Sequence, residues 1–328
     1  MDSDDIQRIF SISNPREFER LALEVFQFQY THNPQYKTFC ELLGKPPSKI
    51  RHTSDIPFLP IEFFKTHKVA TSQQPPEVIF ESSGTTKSAI SRHYVPDLGL
   101  YRQSFLKGFA EFYGPVETYC VLALLPSYLE REGSSLVYMV NEFITRSQHP
   151  ESGFYLYDLE ALKQQLIHLE NQQTKTLLIG VSFALLDLAE QFPLPLKHTV
   201  IMETGGMKGR RKELIRKELH SVLKTAFGVP KIHSEYGMTE LLSQAYSQGD
   251  GLFKTPPWMK IMVRDTEDPL TLQNHGVTGG INVIDLANVY SCSFIATQDL
   301  GRAYPNETFE VLGRFDHSDI RGCNLMAL

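Results

Sequence analysis

Cysteine is scarce. The chain holds four, Cys40, Cys120, Cys292 and Cys323, with no Cys-x-x-Cys pair among them. That excludes a zinc knuckle and a disulfide framework, and any cysteine with a role acts singly, as a thiol. Long hydrophobic runs are missing too. No apolar stretch reaches the roughly 18 residues a bilayer-spanning helix needs, and the first residues, MDSDDIQRIF, are acidic where a signal peptide is basic. The expectation is a cytoplasmic protein with no membrane span. Excess positive charge is also lacking: 32 Lys and Arg against 38 Asp and Glu give a net charge of -6. This argues against a nucleic-acid surface, because phosphate backbones are held by clustered cations. Small molecules and proteins are the partners left. Nor is there an internal repeat, a low-complexity tract or a linker that marks a domain boundary.

What is present is the composition of a folded chain. It has 41% hydrophobic and 21% charged residues over 328 positions, enough for one large domain or two moderate ones. Residues 16–31, EFERLALEVFQFQYTH, put most of their apolar side chains on one helical face. Between Gly44 and Val69 four prolines exclude a continuous helix, and that passage is expected to wrap over the surface of a core. Apolar runs then alternate with helical patterns. EVIFESSGTT reads as strand and polar loop, followed by DLGLYRQSFLKGFAEFYG as a helix with Asp97 as its N-cap. TYCVLALLPS, KTLLIGVS and HTVIMETGG read as buried strands, and LEALKQQLIHLENQ, FALLDLAEQF and RRKELIRKELHSVLKTAFG as helices, the last stopped by Gly228. Such alternation predicts an α/β fold with a mostly parallel sheet and ligands at the carboxyl ends of its strands. Beyond about residue 251 the signal turns to β, in WMKIMVRD, GGINVIDLA and SCSFIATQDLGRAY, a smaller β subdomain.

Four stretches carry chemistry. Ser82-Ser83-Gly84-Thr85-Thr86 offers close-spaced N–H and hydroxyl donors to phosphate oxygens, with Gly84 allowing close approach; the plainer reading is an ordinary turn. It lacks the Gly-Lys-Ser/Thr of a Walker loop. In HSEYGMTE a tyrosine ring can cover a base and Glu240 is a hard oxygen donor suited to magnesium; the alternative is an aromatic turn before a helix starting near Thr239. His233 reads as a hydrogen-bonding residue near the nucleotide rather than a zinc ligand. Asp299 in TQDLGR can accept from a ribose diol. Arg314 in GRFDHSDIRG follows fifteen positions later (314 − 299).

In this order and spacing the four stretches resemble the adenylate-forming superfamily of acyl-CoA synthetases, adenylation domains and luciferases. Ser82–Thr86 resemble its phosphate loop, with Lys87 or Arg92 as the accompanying cation, and Gly205-Gly206 its adenine-side glycines. Tyr236-Gly237-Met238-Thr239-Glu240 is similar to its Tyr-Gly-x-Thr-Glu motif, Asp299 to the Asp of Thr-Gly-Asp, and Gly313-Arg314-x-Asp316 to its hinge. The sequence runs fourteen residues past Arg314 (328 − 314), so the mobile carboxyl-terminal domain of about a hundred residues is expected to be absent. Among short members the chain resembles the acyl-protein synthetase (LuxE-type, long-chain fatty-acid protein ligase) family. That resemblance implies ATP and Mg2+ as cofactors, activation of a small carboxylic, fatty, acid as acyl-AMP, and transfer to Cys323. Thr239 and Glu240 then share the catalytic role with Cys323, and Glu240 holds the metal. The final acceptor is a fatty acid reductase, an acyl carrier protein or coenzyme A.

One adenylate-forming domain over residues 1–328 is therefore expected, with an α/β part to residue 250, a β-rich part over 251–312 and a hinge-like tail over 313–328. Tyr128, Glu130 and Arg131 fall where relatives line an acyl pocket, or on an exposed turn. The basic run in KGRRKELIRKELHSVLK reads as the solvated face of a helix. Two other classes stay open: a ligase that acylates coenzyme A or a carrier protein directly, and a non-catalytic nucleotide-binding subunit.

Overall fold

The computed structural model describes residues 1, 3–71, 75–82, 90–125, 133–205 and 214–315. The chain divides into two compact units, one formed by Met1–Gln73 with Pro257–Leu328 and the other by Gln74–Pro256.

In the unit Gln74–Pro256, five parallel strands lie in the order Gly153–Phe154, Cys120–Leu124, Thr176–Val181, Thr199–Thr204 and His233–Tyr236. Every residue of Cys120–Leu124 and Thr176–Val181 is buried. Strands covered on both faces have no polar side to display, which is why they read as continuous apolar runs. Ala245–Ser247 and Phe253–Lys254 then add antiparallel pairing. Helix Leu98–Tyr113 starts where expected: Asp97 accepts from the Leu100 N–H at 3.1 Å, and Leu100, Phe105 and Phe109 are buried.

Three details differ from expectation. The polar loop does not lead straight into a helix. It joins Val78–Glu81 to a second strand, Arg92–Val95, in an antiparallel hairpin. Only four residues long, that strand buries His93 and Val95 alternately, too short a period-two signal to register. Helix Ser135–Ser147, capped by Ser134, went unexpected although Met139, Val140 and Phe143 share its buried face. Helix Arg216–Phe227 is preceded by Ile215 in extended conformation, so the helical pattern is not continuous through Ile215; residues 206–213 lie outside the described residues.

In the unit of Met1–Gln73 with Pro257–Leu328, helix Pro15–His32 begins at an Asn14 cap that accepts from Glu17 N–H. Strands Met259–Arg264, Thr278–Asp285, Phe294–Ala303 and Thr308–Arg314 form an antiparallel sheet in that order. The proline-rich passage is not a mere surface wrap. It forms a short strand, Leu59–Pro60, parallel to Phe294–Ala303, and buries Ile56, Leu59, Phe64 and Val69. A strand only two residues long tolerates Pro60, which brings no N–H to the ladder.

Connection 286–293 between two of these strands is almost wholly buried, so its backbone polar groups need partners. Gln29, fully buried on the long helix, supplies them. Its Nε2 donates to Asn288 O, Val289 O and Ser293 Oγ at 2.9–3.0 Å, and its Oε1 accepts from Ser293 N. Asn33 adds a bond to Ser291 O at 3.0 Å. Gln29→Leu keeps the volume but strands these groups, and is expected to lower the unfolding free energy by about 3 kcal/mol. Urea unfolding should show a lower midpoint with an unchanged slope; an unshifted midpoint means the connection does not depend on Gln29.

Candidate functional site

At the carboxyl ends of two neighbouring parallel strands in the unit Gln74–Pro256, the chain makes two turns. Thr199–Thr204 ends in Gly205, whose φ of +67° suits glycine. The Ser182 hydroxyl donates to Gly205 O at 2.9 Å and holds the turn from below. His233–Tyr236 ends in the stretch Gly237-Met238-Thr239-Glu240, closed by Leu241 N–H to Met238 O at 3.1 Å, so a turn and not a helix follows Tyr236. Glu240 is buried, whereas Thr239 is partly exposed. Gly237 is dictated by contact: a Cβ there would collide with Glu235 Oε1 and meet Gln244 Cγ at 3.2 Å.

The hairpin reaches the same place. Ser82 N–H donates to Ser91 O at 3.1 Å and Ser82 Oγ accepts from Ser91 N at 3.0 Å, closing the base of the loop. His93, buried on the returning strand, makes a 2.8 Å hydrogen bond from Nδ1 to Thr239 O. The stretch around Ser82 and the Tyr236–Glu240 stretch are thereby joined through one residue. Arg92 is ion-paired with Glu81 across the hairpin at 2.9 Å. Ser83, Gly84, Thr85, Thr86, Lys87, Gly206, Asp316 and Cys323 lie outside the described residues, as do Tyr128, Glu130 and Arg131.

Two carboxyl groups beneath these turns were not singled out from the sequence. Glu203 is 4% exposed and Glu235 8%. The strand register pairs Glu203 with Ser234 and Thr204 with Glu235, which puts the two acids on opposite faces of the sheet. Glu203 meets Arg216 Nε at 3.3 Å, His220 Nε2 at 3.5 Å and the Ser182 hydroxyl at 3.2 Å. Burial opposes its ionisation, but His220, Arg216 and Ser234 outweigh that, and its pKa lies below the ordinary carboxylate value. Among the described residues Glu235 is hydrogen-bonded by the Thr204 hydroxyl alone, and burial pushes its pKa up to about 7. The basic helix is therefore not wholly a solvated face, since Arg216 and His220 turn inward. The available signal was a carboxylate inside an otherwise apolar strand, in VIMETGG and HSEYG.

His233 is a hydrogen-bonding residue, as expected. It opens the strand that Tyr236 closes, bonds Tyr113 OH through Nδ1 at 3.2 Å, and lines a cavity of about 430 Å³ at the amino ends of the strands. Burial and the nearby Lys231 lower its pKa to about 4.

In the other unit, Asp299 and Arg314 face each other across neighbouring strands, with Arg314 Nε 3.2 Å from Asp299 Oδ1. The Arg314 side chain is 80% exposed, so the pair adds little stability and Arg314 stays accessible to solvent. Gln298, beside Asp299, bonds Glu62. Cys40, Cys120 and Cys292 are buried as expected, and burial raises their thiols, Cys120 to about 11 and Cys40 to about 12. Among the described residues no helix is long and apolar enough to cross a membrane, and no group of three or more His, Cys, Asp or Glu could hold a metal.

A family model for acyl-protein synthetase, LuxE, matches residues 13–327. The long-chain-fatty-acid–luciferin-component ligase of Vibrio harveyi is 22% identical, with 93% of this chain and 86% of that one aligned. Among solved structures, ATP-bound MatB from Rhodopseudomonas palustris gives a TM-score of 0.54 at 18% identity over 72% of this chain. The match covers 47% of MatB, so the chain spans about half of its length. A 2-hydroxyisobutyryl-CoA ligase in the postadenylation state gives 0.63 at 12% identity, over 93% of this chain and 69% of its own. The fold is the α/β fold of adenylate-forming ligases, as expected. With the family match running across nearly all of the sequence, the chain belongs to the acyl-protein synthetase, LuxE, family.

Proposed function

We propose that the protein activates a carboxylic acid with ATP as an acyl adenylate, passes the acyl group to Cys323, and delivers it from there to an acceptor. One observation carries the reading. The Gly205 turn, the Tyr236–Glu240 stretch and the hairpin based at Ser82 meet at the carboxyl ends of parallel strands, tied by Ser182 and His93. Such strand ends are where open α/β sheets bind nucleotides.

In the first step a substrate carboxylate oxygen attacks the α-phosphorus of ATP, and the bond to the β-phosphate oxygen breaks with loss of pyrophosphate. Ser82 to Thr86 with Lys87 cradle the phosphates. Gly205 and Gly206 border the adenine, Tyr236 covers it and Gly237 lets the turn pass close. Thr239 holds the α-phosphate, Asp299 accepts from the ribose hydroxyls, and Arg314 is the exposed cation beside it. Positioning and charge complementarity provide the rate enhancement. Glu240 fits a magnesium ion, which takes one or two carboxylates and otherwise phosphate oxygens and water, and which offsets phosphate charge when bound.

In the second step the Cys323 thiolate attacks the acyl carbon, the acyl–phosphate C–O bond breaks, and AMP departs with the electron pair. The remaining thiols support this choice, because burial holds Cys40, Cys120 and Cys292 in the unreactive protonated form. The name of the Vibrio harveyi relative supports a fatty acid as substrate. A fatty acid reductase, an acyl carrier protein or coenzyme A then takes the acyl group.

Intact-mass measurement after incubation with ATP, magnesium and a series of fatty acids should show an acyl adduct, labile to hydroxylamine, on the wild type and not on Cys323→Ser. Pyrophosphate release with coenzyme A consumed and no adduct would instead establish direct transfer; ATP binding without turnover would sink the catalytic reading. Gly237→Ala places a methyl against the Glu235 carboxyl and should weaken ATP binding about tenfold, equivalent to about 1.4 kcal/mol. Calorimetric titration with ATP reads it, and an unchanged Kd removes the Gly237 turn from the nucleotide site.

A further inference from the structure

Glu235 is a carboxylic acid with no cation paired to it among the described residues. Its neighbour on the adjoining strand is Thr204, whose hydroxyl it bonds, and its cross-strand pair on the other side is Tyr246, whose buried hydroxyl has no hydrogen-bond partner among the described residues. Its second oxygen lies where a Cβ on Gly237 would be. The group is thus held between the end of one parallel strand and the first residue of the turn after the next.

We propose that Glu235 is a positioning residue for the Tyr236–Glu240 turn: its carboxyl, hydrogen-bonded to Thr204 and folded beneath Gly237, ties that turn to the end of strand Thr199–Thr204. The consequence for nucleotide binding rests on the function proposed above; the tie itself does not.

The surroundings favour the uncharged acid. Burial is the largest influence and raises its pKa, the Thr204 hydroxyl lowers it, and the like charge of Glu203 raises it again, leaving the group at about 7 against an ordinary 4.5. From strand Ala245–Ser247 it faces Tyr246, a phenol held neutral by burial, with Tyr113 and Tyr101 of helix Leu98–Tyr113 acting on that phenol. Arg216 and His220 are engaged by Glu203 on the opposite face. On its own strand His233 is kept neutral by burial near neutral pH. A proton is bound more tightly folded than unfolded, so the stabilisation is complete below pH 4.5 and is lost as pH rises toward 7. Ionisation puts an unpaired charge beneath Gly237, and the turn must move or let water in.

Amide hydrogen exchange on the whole protein tests this, at about pH 5.5 and about pH 8.5 after correction for intrinsic rates. Gly237–Glu240 are compared with Thr176–Val181 of the same sheet as reference. In the wild type, protection of the turn should fall about tenfold at the higher pH relative to the reference strand. Glu235→Gln, a neutral isostere, should keep protection at both pH values, and Glu235→Ala should lack it at both. ATP titrations on the same three proteins should follow the same pattern. Equal turn protection in Glu235→Ala and wild type, or the same pH-dependent loss in Glu235→Gln, overturns the proposal. If the exchange pattern appears but none of the three binds ATP, the positioning role holds and the nucleotide-site reading fails.

Discussion

Two buried carboxyl groups at the ends of adjacent parallel strands cannot both be charged without cost, and much of the local structure answers that constraint. Glu203 is the one that ionises. It draws Arg216 and His220 inward from the helix that follows, and it shares Ser182 with the Gly205 carbonyl. Glu235, with the Thr204 hydroxyl as its one partner among the described residues, is pushed by burial up to about 7 and so holds its proton well above the pH at which an ordinary carboxylate loses it. Charge separation between neighbours is thus achieved by placing all the compensation on one face of the sheet.

The same arrangement explains why the Tyr236–Glu240 stretch has the shape it has. A glycine follows Tyr236 because the Glu235 carboxyl occupies the space a side chain would need. The turn then presents Thr239 O to His93, so the hairpin and the turn hold one another in place. Binding groups held by buried hydrogen bonds need little reorganisation when ligand arrives, and that is how pre-arranged dipoles aid charge transfer at phosphate.

Fold and site were legible to different degrees, for physical reasons. Parallel strands such as Thr176–Val181 are apolar on both faces and announce themselves, as do helices with a cap and one apolar stripe, such as Leu98–Tyr113. The proline-rich passage misled because prolines report only what the backbone cannot do; its buried Leu59, Phe64 and Val69 carried the other half of the information. Motif residues were visible because their identity and spacing survive in one dimension. Glu203 and Glu235 were not. A carboxylate in a strand normally signals solvent, and the partners that reverse that reading, Arg216 at thirteen positions and Thr204 at thirty-one, come close only after folding.

Cysteine usage follows the same rule of environment over identity. A thiol reacts as its thiolate, and the fraction ionised near neutral pH falls tenfold for each unit its pKa rises. Cys40 at about 12 and Cys120 at about 11 are therefore inert toward an acyl donor, and Cys292, fully buried against Phe294 O, is more so. An enzyme that generates a mixed anhydride needs its other thiols suppressed, because any accessible thiolate would compete for the acyl group. Under the function proposed above, desolvation of Cys40, Cys120 and Cys292 keeps these three thiols from competing for the acyl group.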